Sequence, residues 1–401
     1  MVAVETVATF VVAALASLFM AWAIGAGSSG STPFAPAVGA NAISVMRAGF
    51  IVGILGFAGA VLQGASVTEA VGTELIVGVE LSAIAATVGL LTAAVLVAVG
   101  VFTGYPIATA FTVTGAVVGV GLALGGAPAW AKYQEIVALW VLTPFVGGGI
   151  AYATAKTLRN DRIAERFAVP FLAGIVAALV ANVQFSMLGP GSEGASVAVV
   201  VAARLALPAV SGLPVGRLLV TLVFAALVTA ALHRDMVRDA DAGQRRFLLV
   251  LGGLVAFSAG GSQVGLAIGP LVPLLGPAMP IPLVAVLVGG GLGLLAGSWT
   301  GAPRMIKAIA QDYSSLGPRR SIAALIPSFA IAQAAVAFGI PVSFNEIIVS
   351  AIIGSGYAAG GSGVSRQKML YTVLAWVGSL ALALALGYGV FAAVDLLLSS
   401  V

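Results

Sequence analysis

Two segments of this chain repeat each other at a separation of 235 residues. Gly104-Tyr105-Pro106-Ile107-Ala108-Thr109 opens a stretch rich in glycine and threonine, and Gly339-Ile340-Pro341-Val342-Ser343 opens a stretch rich in glycine and serine. A second pair keeps the same separation, since Gly25-Ala26-Gly27-Ser28 corresponds to Gly260-Gly261-Ser262-Gln263. Such helix-interrupting segments, recurring in register within apolar surroundings, predict a duplicated membrane transporter whose binding site lies between its halves.

The composition predicts a protein that lies in a lipid bilayer. Hydrophobic residues make up 60% of the 401 residues and charged residues only 8%, which are too few charges to cover a soluble fold of this size. The chain has no cysteine, one histidine (His233) and no nucleotide-binding P-loop. These counts argue against disulfides, thiolate or histidine metal sites and a catalytic triad. We therefore expect neither an enzyme nor a bound cofactor.

Apolar stretches long enough to cross a bilayer recur along the sequence. We predict spans at about 3–24, 44–63, 75–101, 135–155, 167–188, 195–210, 216–233, 246–267, 282–299, 321–338 and 369–398. The segments 103–122 and 338–357 are shorter and rich in small polar residues, so each is expected to form a re-entrant hairpin or a broken helix. The predicted fold class is an all-α polytopic membrane protein of about 12 spans, with two inverted repeats.

Basic residues predict the orientation of the chain. They cluster at Lys156–Arg166, at Arg234–Arg246, at Arg304–Arg320, and at Arg366 and Lys368. The positive-inside rule places all four clusters in the cytoplasm, with both termini outside the cell. We expect a first inverted repeat at 1–155, a linking insert with two or three spans at 156–245, and a second inverted repeat at 246–401. Basic residues confined to short loops do not indicate nucleic-acid binding.

The repeated segments supply the candidate binding residues. Hydroxyl and amide side chains combined with interrupted helices can hold an oxyanion, because free backbone N–H groups and helix N-termini attract negative charge. The candidate substrate-binding residues are Gly27, Ser28, Ser31, Thr109, Ser262, Gln263, Ser343 and Asn345. The alternative interpretation is that these small residues only allow close helix packing.

Two carboxylates fall within apolar segments, where a charge is costly and therefore faces a cavity or binds a proton. Glu346 lies in the second hairpin and Glu80 near the start of the third span. We predict that both take part in ion coupling, and Glu346 is the better candidate because it adjoins the presumed site. The alternatives are that Glu80 only lies near the outer interface and that Glu346 only bonds to the backbone of its hairpin. Arg204 and Arg217 lie in the insert and are expected to reach the membrane interface rather than to bind an anion.

At these segments the chain resembles the inorganic phosphate transporter (PiT) family of ion-coupled symporters. That family carries two inverted copies of a Gly-Ala-Asn-Asp-x-Ala-Asn signature and two Gly-Leu-Pro-Val-Ser-Thr-Thr-His hairpins. The similarity lies at Gly104–Phe111, at Gly339–Glu346 and around the second signature, from Phe257 to Leu271. The resemblance covers both halves and implies an alternating-access symporter of the cell membrane with inorganic phosphate as its substrate.

The chain departs from the family pattern at the signature carboxylates. Ser28 and Gln263 stand where the family has Asp, and Gly27 and Ser262 stand where it has Asn. The resemblance associates the Asp residues with cation and substrate binding, so the coupling ion, sodium or proton, stays open. Phosphate and sulfate both remain candidates for the substrate. For the class of protein, an uncoupled permease and a sensor remain alternatives to a coupled transporter. The expected partners are the anion and the bilayer; a homodimer is a further option.

Overall fold

The computed structural model describes residues 4–185, 188–189, 194–208, 214–276, 279–313, 315–360 and 364–400. This part of the chain is almost entirely helical, as expected for the predicted fold class. Its helices are α1 (Val4–Gly27), α2 (Ala35–Gly39), α3 (Val45–Gln63), α4 (Ala65–Thr73), α5 (Ala83–Thr103), α6 (Thr109–Ala123), α7 (Trp130–Leu158), α8 (Glu165–Ala181), α9 (Val197–Arg204), α10 (Val215–Arg238), α11 (Ala240–Ile268), α12 (Leu283–Thr300), α13 (Ala302–Asp312), α14 (Pro318–Ala337), α15 (Phe344–Tyr357) and α16 (Arg366–Ser399). Two short antiparallel pairs join β1 (Ile76–Val77) to β2 (Ala127–Pro128) and β3 (Gln184–Phe185) to β4 (Ala195–Ser196).

Nine helices in the described ranges are long and apolar enough to cross a membrane, namely α1, α3, α5, α7, α10, α11, α12, α14 and α16. The predicted span at 195–210 differs from the structure. Only Val197–Arg204 is helical there, and eight residues at 1.5 Å each extend about 12 Å, far less than a bilayer. Residues 209 and 210 lie outside the described ranges.

The packing of the first half recurs in the second. The helix α1 packs on α5 and α12, and α11 packs correspondingly on α14 and α3. The short helix α6 packs on α5 and α16, and α15 packs on α14 and α7. Each half therefore places its short helix against the last long helix of the other half, and the two halves interlock.

Glycines let the backbones of α3 and α11 touch. A Cβ atom added at Gly260 would lie 1.8 Å from the carbonyl oxygen of Gly56, and one added at Gly59 would lie 1.8 Å from the carbonyl oxygen of Phe257. Small residues at a helix crossing allow this close approach within a membrane. The crossing fixes the part of α11 that carries Ser262 and Gln263.

Both hairpins reverse at a glycine that a residue with a side chain could not replace without strain. Gly104 has φ +76° and Gly339 has φ +60°, and these left-handed conformations end α5 and begin the turn after α14. An extended stretch containing Pro106 or Pro341 follows in each hairpin. The next helices, α6 and α15, have 15 and 14 residues. This is about 22 Å of helix, which is shorter than a bilayer, and both helices begin at buried residues inside the protein.

The two signature segments differ in conformation. The first follows the expectation of a broken helix, because α1 ends at Gly27 and turns follow before α2. The second stays helical, since Gly260–Gln263 lies within α11 and the helix narrows into a 3₁₀ turn only at Gly269–Leu274.

The four basic clusters meet on one face of the molecule. Glu165, within the first cluster, accepts hydrogen bonds from Gln244 of the second cluster and pairs with Arg319 of the third. Lys368 of the fourth cluster pairs with Asp312 of the third at 3.0 Å. We call this surface the basic face.

The close crossing makes a testable prediction. Gly260→Ala pushes a methyl group into the backbone of α3 and should destabilise the protein by roughly 1–3 kcal/mol, seen as a lower midpoint of thermal unfolding in detergent. Gly289→Ala in α12 is the matched control, because its added Cβ would meet no heavy atom within 4 Å. Equal midpoints for the two variants would contradict this packing.

Candidate functional site

The side chain of Gln263 joins four segments of the chain in the interior. Its Oε1 accepts hydrogen bonds from Ser28 Oγ at 3.0 Å and from Thr109 Oγ1 at 2.9 Å. Its Nε2 donates to the carbonyl oxygen of Val342. One amide thereby connects α11, the end of α1, the start of α6 and the extended strand of the second hairpin.

Asn345 adds a second bridge beside the first. Its Nδ2 donates to the carbonyl oxygens of Gly27 at 2.9 Å and Ile107 at 2.7 Å. Ser28, Thr109, Gln263 and Asn345 form what we call the buried polar cluster, and none of them exceeds 1% exposure. The predicted residues thus come together from both halves of the chain.

Two helices begin at this cluster. Thr109 is the first residue of α6, and Ser343 precedes the first residue of α15. Neither helix has a side-chain hydrogen bond at its N-cap, so the first N–H groups keep their capacity to donate. The helix dipole adds positive potential at the same ends. The cluster therefore presents hydrogen-bond donors and positive potential without any cationic side chain.

Two polar atoms at this place have no partner among the described residues. They are Ser343 Oγ and Asn345 Oδ1. A buried polar atom without a hydrogen bond costs about 1–3 kcal/mol. One atom is a hydroxyl able to donate, and the other is a carbonyl oxygen able only to accept. A ligand with both acceptors and a donor would satisfy both.

The other predicted residues have local roles. Ser31 Oγ donates to the carbonyl oxygen of Ser28 at 3.2 Å within the turn after α1. Ser262 Oγ makes a long contact of 3.5 Å with the carbonyl oxygen of Ala259 in its own helix. Gly27 contributes its carbonyl oxygen to Asn345. Ser31 and Ser262 therefore lie beside the cluster but do not bond to its side chains.

Two tryptophans that the sequence analysis did not select hold the hairpins in place. Trp140 Nε1 donates to the carbonyl oxygen of Pro341 at 2.9 Å, and Trp376 Nε1 donates to that of Pro106 at 2.8 Å. Proline has no N–H and its carbonyl lies in an extended, non-helical stretch, so each indole satisfies a carbonyl that the hairpin leaves free. The near-equal spacing of the two tryptophans and the two prolines was the available signal.

The two predicted coupling carboxylates lie in different surroundings. Glu346 is 2% exposed, lies in the first turn of α15, and borders a largely apolar cavity of about 690 Å³ that Phe111, Trp140 and Trp376 also line. Its Oε2 has no partner among the described residues. Glu80 is exposed in the loop before α5 and lies apart from the cluster.

Comparison with known proteins identifies the family. Residues 24–387 match the model of the phosphate transporter family. The chain belongs to this family, whose members are transporters and not enzymes. The match spans both halves and the insert, so the chain is a multi-pass membrane protein throughout.

Individual relatives are distant in sequence, but they align with most of this chain. The chain is 25% identical over 386 residues to a protein named "Putative phosphate permease" of Thermococcus kodakarensis, covering 89% of this chain and 90% of that protein. It is 25% identical over 404 residues to "Inorganic phosphate transporter 2-1, chloroplastic" of Arabidopsis thaliana, covering 90% of this chain and 68% of that protein.

A solved structure shares the fold. It is described as "The sodium-dependent phosphate transporter" and superposes with a TM-score of 0.79 at 23% identity. The alignment covers 97% of this chain and 99% of that chain. The overall arrangement of helices is therefore that of a known membrane transporter.

Removing the central amide should destabilise the protein. Gln263→Leu leaves the hydroxyls of Ser28 and Thr109 and the carbonyl of Val342 without their partner, so we expect a loss of roughly 2–4 kcal/mol in the free energy of unfolding, measured by SDS titration in mixed micelles. Gln311→Leu is the control, because Gln311 is exposed on α13. A Gln263 variant as stable as the control would show that these hydrogen bonds contribute little.

Proposed function

We propose that this protein is a secondary transporter that moves inorganic phosphate across the cytoplasmic membrane by alternating access. The observation that carries this proposal is the meeting of two buried helix N-termini, α6 and α15, at one polar cluster drawn from both halves of the chain. The anion binds between these ends, where the Ser343 hydroxyl and the first N–H groups of both helices donate to it. The Thr109 hydroxyl, which donates to Gln263 Oε1 in this structure, turns to the anion when it binds.

The unpartnered atoms favour phosphate over sulfate. Sulfate offers only acceptors at neutral pH and would leave Asn345 Oδ1 without a donor. Phosphate keeps at least one P–OH group, which can donate to that oxygen while the other phosphate oxygens accept from Ser343 Oγ and from backbone N–H groups. A site that discriminates by a hydrogen bond to a buried acceptor rejects the ligand that lacks the donor.

We further propose that the transporter consists of two inverted repeats, 1–155 and 246–401, joined by the insert at 156–245. Three features support this: the recurring helix packing, the matching left-handed glycines, and the paired contacts of Trp140 and Trp376. The basic face supports a cytoplasmic orientation for the loops that form it, with both termini outside. A homodimer stays a prediction.

Proton coupling through Glu346 is the second part of the proposal. At the positions of the two signature Asp residues, Ser28 and Gln263 form a direct hydrogen bond at 3.0 Å. A neutral hydroxyl and amide supply no negative charge to offset a sodium ion, so the ligand chemistry for sodium is weakened at this place. Glu346 is one residue from Asn345 and can exchange a proton as the hairpin changes its exposure.

Loss of either hydroxyl at the helix ends should weaken phosphate binding. Thr109→Val and Ser343→Ala each remove one hydroxyl of the proposed site, and we expect phosphate affinity to fall by about tenfold, corresponding to about 1.4 kcal/mol, in isothermal titration calorimetry. Thr112→Val and Ser355→Ala are matched controls, because those hydroxyls bond to their own helix backbones. Wild-type affinity in both test variants would place the site elsewhere.

Glu346→Gln should abolish the response of uptake to a proton gradient. The amide keeps the size of the side chain but cannot release a proton, so phosphate uptake into proteoliposomes should no longer follow an imposed pH difference. Glu80→Gln serves as the control because Glu80 is exposed outside the site. Wild-type uptake that ignores the pH difference and follows a sodium gradient would refute proton coupling.

A further inference from the structure

A polar cavity lies between α3, α4, α14 and the insert helices, away from the buried polar cluster. Its volume is about 690 Å³, and its polar lining comes from Gln63, Ser66, Glu69, Asn182, Gln184, Arg217 and Gln333. We call it the outer cavity. Arg217 lies near the N-terminus of α10, whereas Arg234 and Arg238, in the basic face, lie near its C-terminus. The helix α14 likewise begins at the basic face, where it carries Arg319. The outer cavity therefore opens on the side of the molecule opposite the basic face.

Arg217 is held in this cavity with its guanidinium fork unused. Its Nε donates to Asn182 Oδ1 at 2.6 Å, and Asn182 Nδ2 in turn donates to Thr221 Oγ1 at 2.9 Å. Within the described ranges Arg217 forms no ion pair. These contacts hold the side chain through Nε and leave its two terminal nitrogens available to a ligand. Arginine uses these nitrogens to bind oxyanions in a bidentate manner.

The position of Arg217 gives no advantage to the helix that carries it. It is the third residue of α10, near the N-terminus, where the helix dipole disfavours a cation. Arg217, which the sequence predicts to reach the membrane interface, lines a polar hollow on the protein. A cation kept in an unfavourable helix position and aimed at a cavity suggests a ligand.

A pair of glutamines joins α3 to α14 at the wall of this cavity. Gln63 Nε2 donates to Gln333 Oε1 at 3.4 Å, and Gln333 Nε2 donates back to Gln63 Oε1 at 3.2 Å. Gln333 Nε2 also donates to Ser258 Oγ at 2.7 Å. A Cβ added at Gly261 would lie 2.8 Å from Gln63 Cβ, so Gln63 also packs on α11.

We propose that Arg217 is an anion-docking residue at the outer entrance of the transport path. This inference rests on the proposed anion transport. An oxyanion docks at Arg217 before it moves on to the helix ends at the buried polar cluster. Glu69 lies in the same cavity, and its carboxylate lowers the affinity for an anion there.

Uptake of radiolabelled inorganic phosphate into proteoliposomes tests the docking role. Arg217→Gln should raise KM about tenfold, as expected for the loss of one charge-assisted contact, while the maximal rate changes less than about twofold. Glu69→Gln should lower KM. Arg204→Gln is the matched control, because Arg204 is an exposed arginine of the same insert. An unchanged KM in Arg217→Gln, with weakened binding in Thr109→Val, would overturn the docking role and leave the proposed function standing.

Thiol labelling gives a readout that does not depend on transport or on exact folding of the Arg217 site. The chain has no cysteine, so Ala334→Cys, at the lining of the outer cavity, introduces a single reactive thiol. An anionic methanethiosulfonate should label it faster, relative to a cationic one, than it does after the additional change Arg217→Gln. Arg217→Gln should lower this ratio several-fold, and Arg217→Lys should largely keep it. A ratio that is the same with and without the charge would refute the proposal, even if no phosphate uptake is seen.

Discussion

Backbone polar groups inside a bilayer must find partners, and two helices of this protein begin at fully buried residues. The starts of α6 and α15 lie in the interior, and their first N–H groups have no partner within the helix. Everything else at the centre of the molecule depends on this constraint. The hairpins need left-handed glycines to reach it, and the indoles of Trp140 and Trp376 satisfy the carbonyls that the turns leave free.

Close backbone packing is what brings the side chains of the cluster together. The carbonyl oxygens of Gly56 and Phe257 lie where Cβ atoms at Gly260 and Gly59 would stand, so no larger residue fits the crossing of α3 and α11. That crossing fixes Gln263, and Gln263 then bonds to hydroxyls from α1 and α6. The small residues of the repeated segments therefore have two roles: the glycines allow the close packing of helices, and the polar residues among them form the cluster.

The sequence was enough to predict the helical class and the two short hairpins, and four of the predicted site residues, Ser28, Thr109, Gln263 and Asn345, bond to one another or to each other's segments. It was not enough to predict that Gly260–Gln263 would remain helical, because a similar glycine-rich segment ends α1 at Gly27. The span at 195–210 failed because apolarity alone does not set helix length. The cavity that Arg217 lines was not predicted, because helices distant in sequence form it.

The neutral character of the cluster distinguishes this chain from the signature of the family it belongs to. Two carboxylates at the positions of Ser28 and Gln263 would repel each other unless a cation lay between them, whereas the hydroxyl and amide bond directly. In our proposal the anion is then held by helix ends and hydroxyls. The most direct test is a single-particle structure determined with saturating phosphate. The account predicts tetrahedral density within hydrogen-bonding distance of Thr109, Ser343 and the first N–H groups of α6 and α15. Density bound elsewhere, with this cluster unchanged, would contradict it.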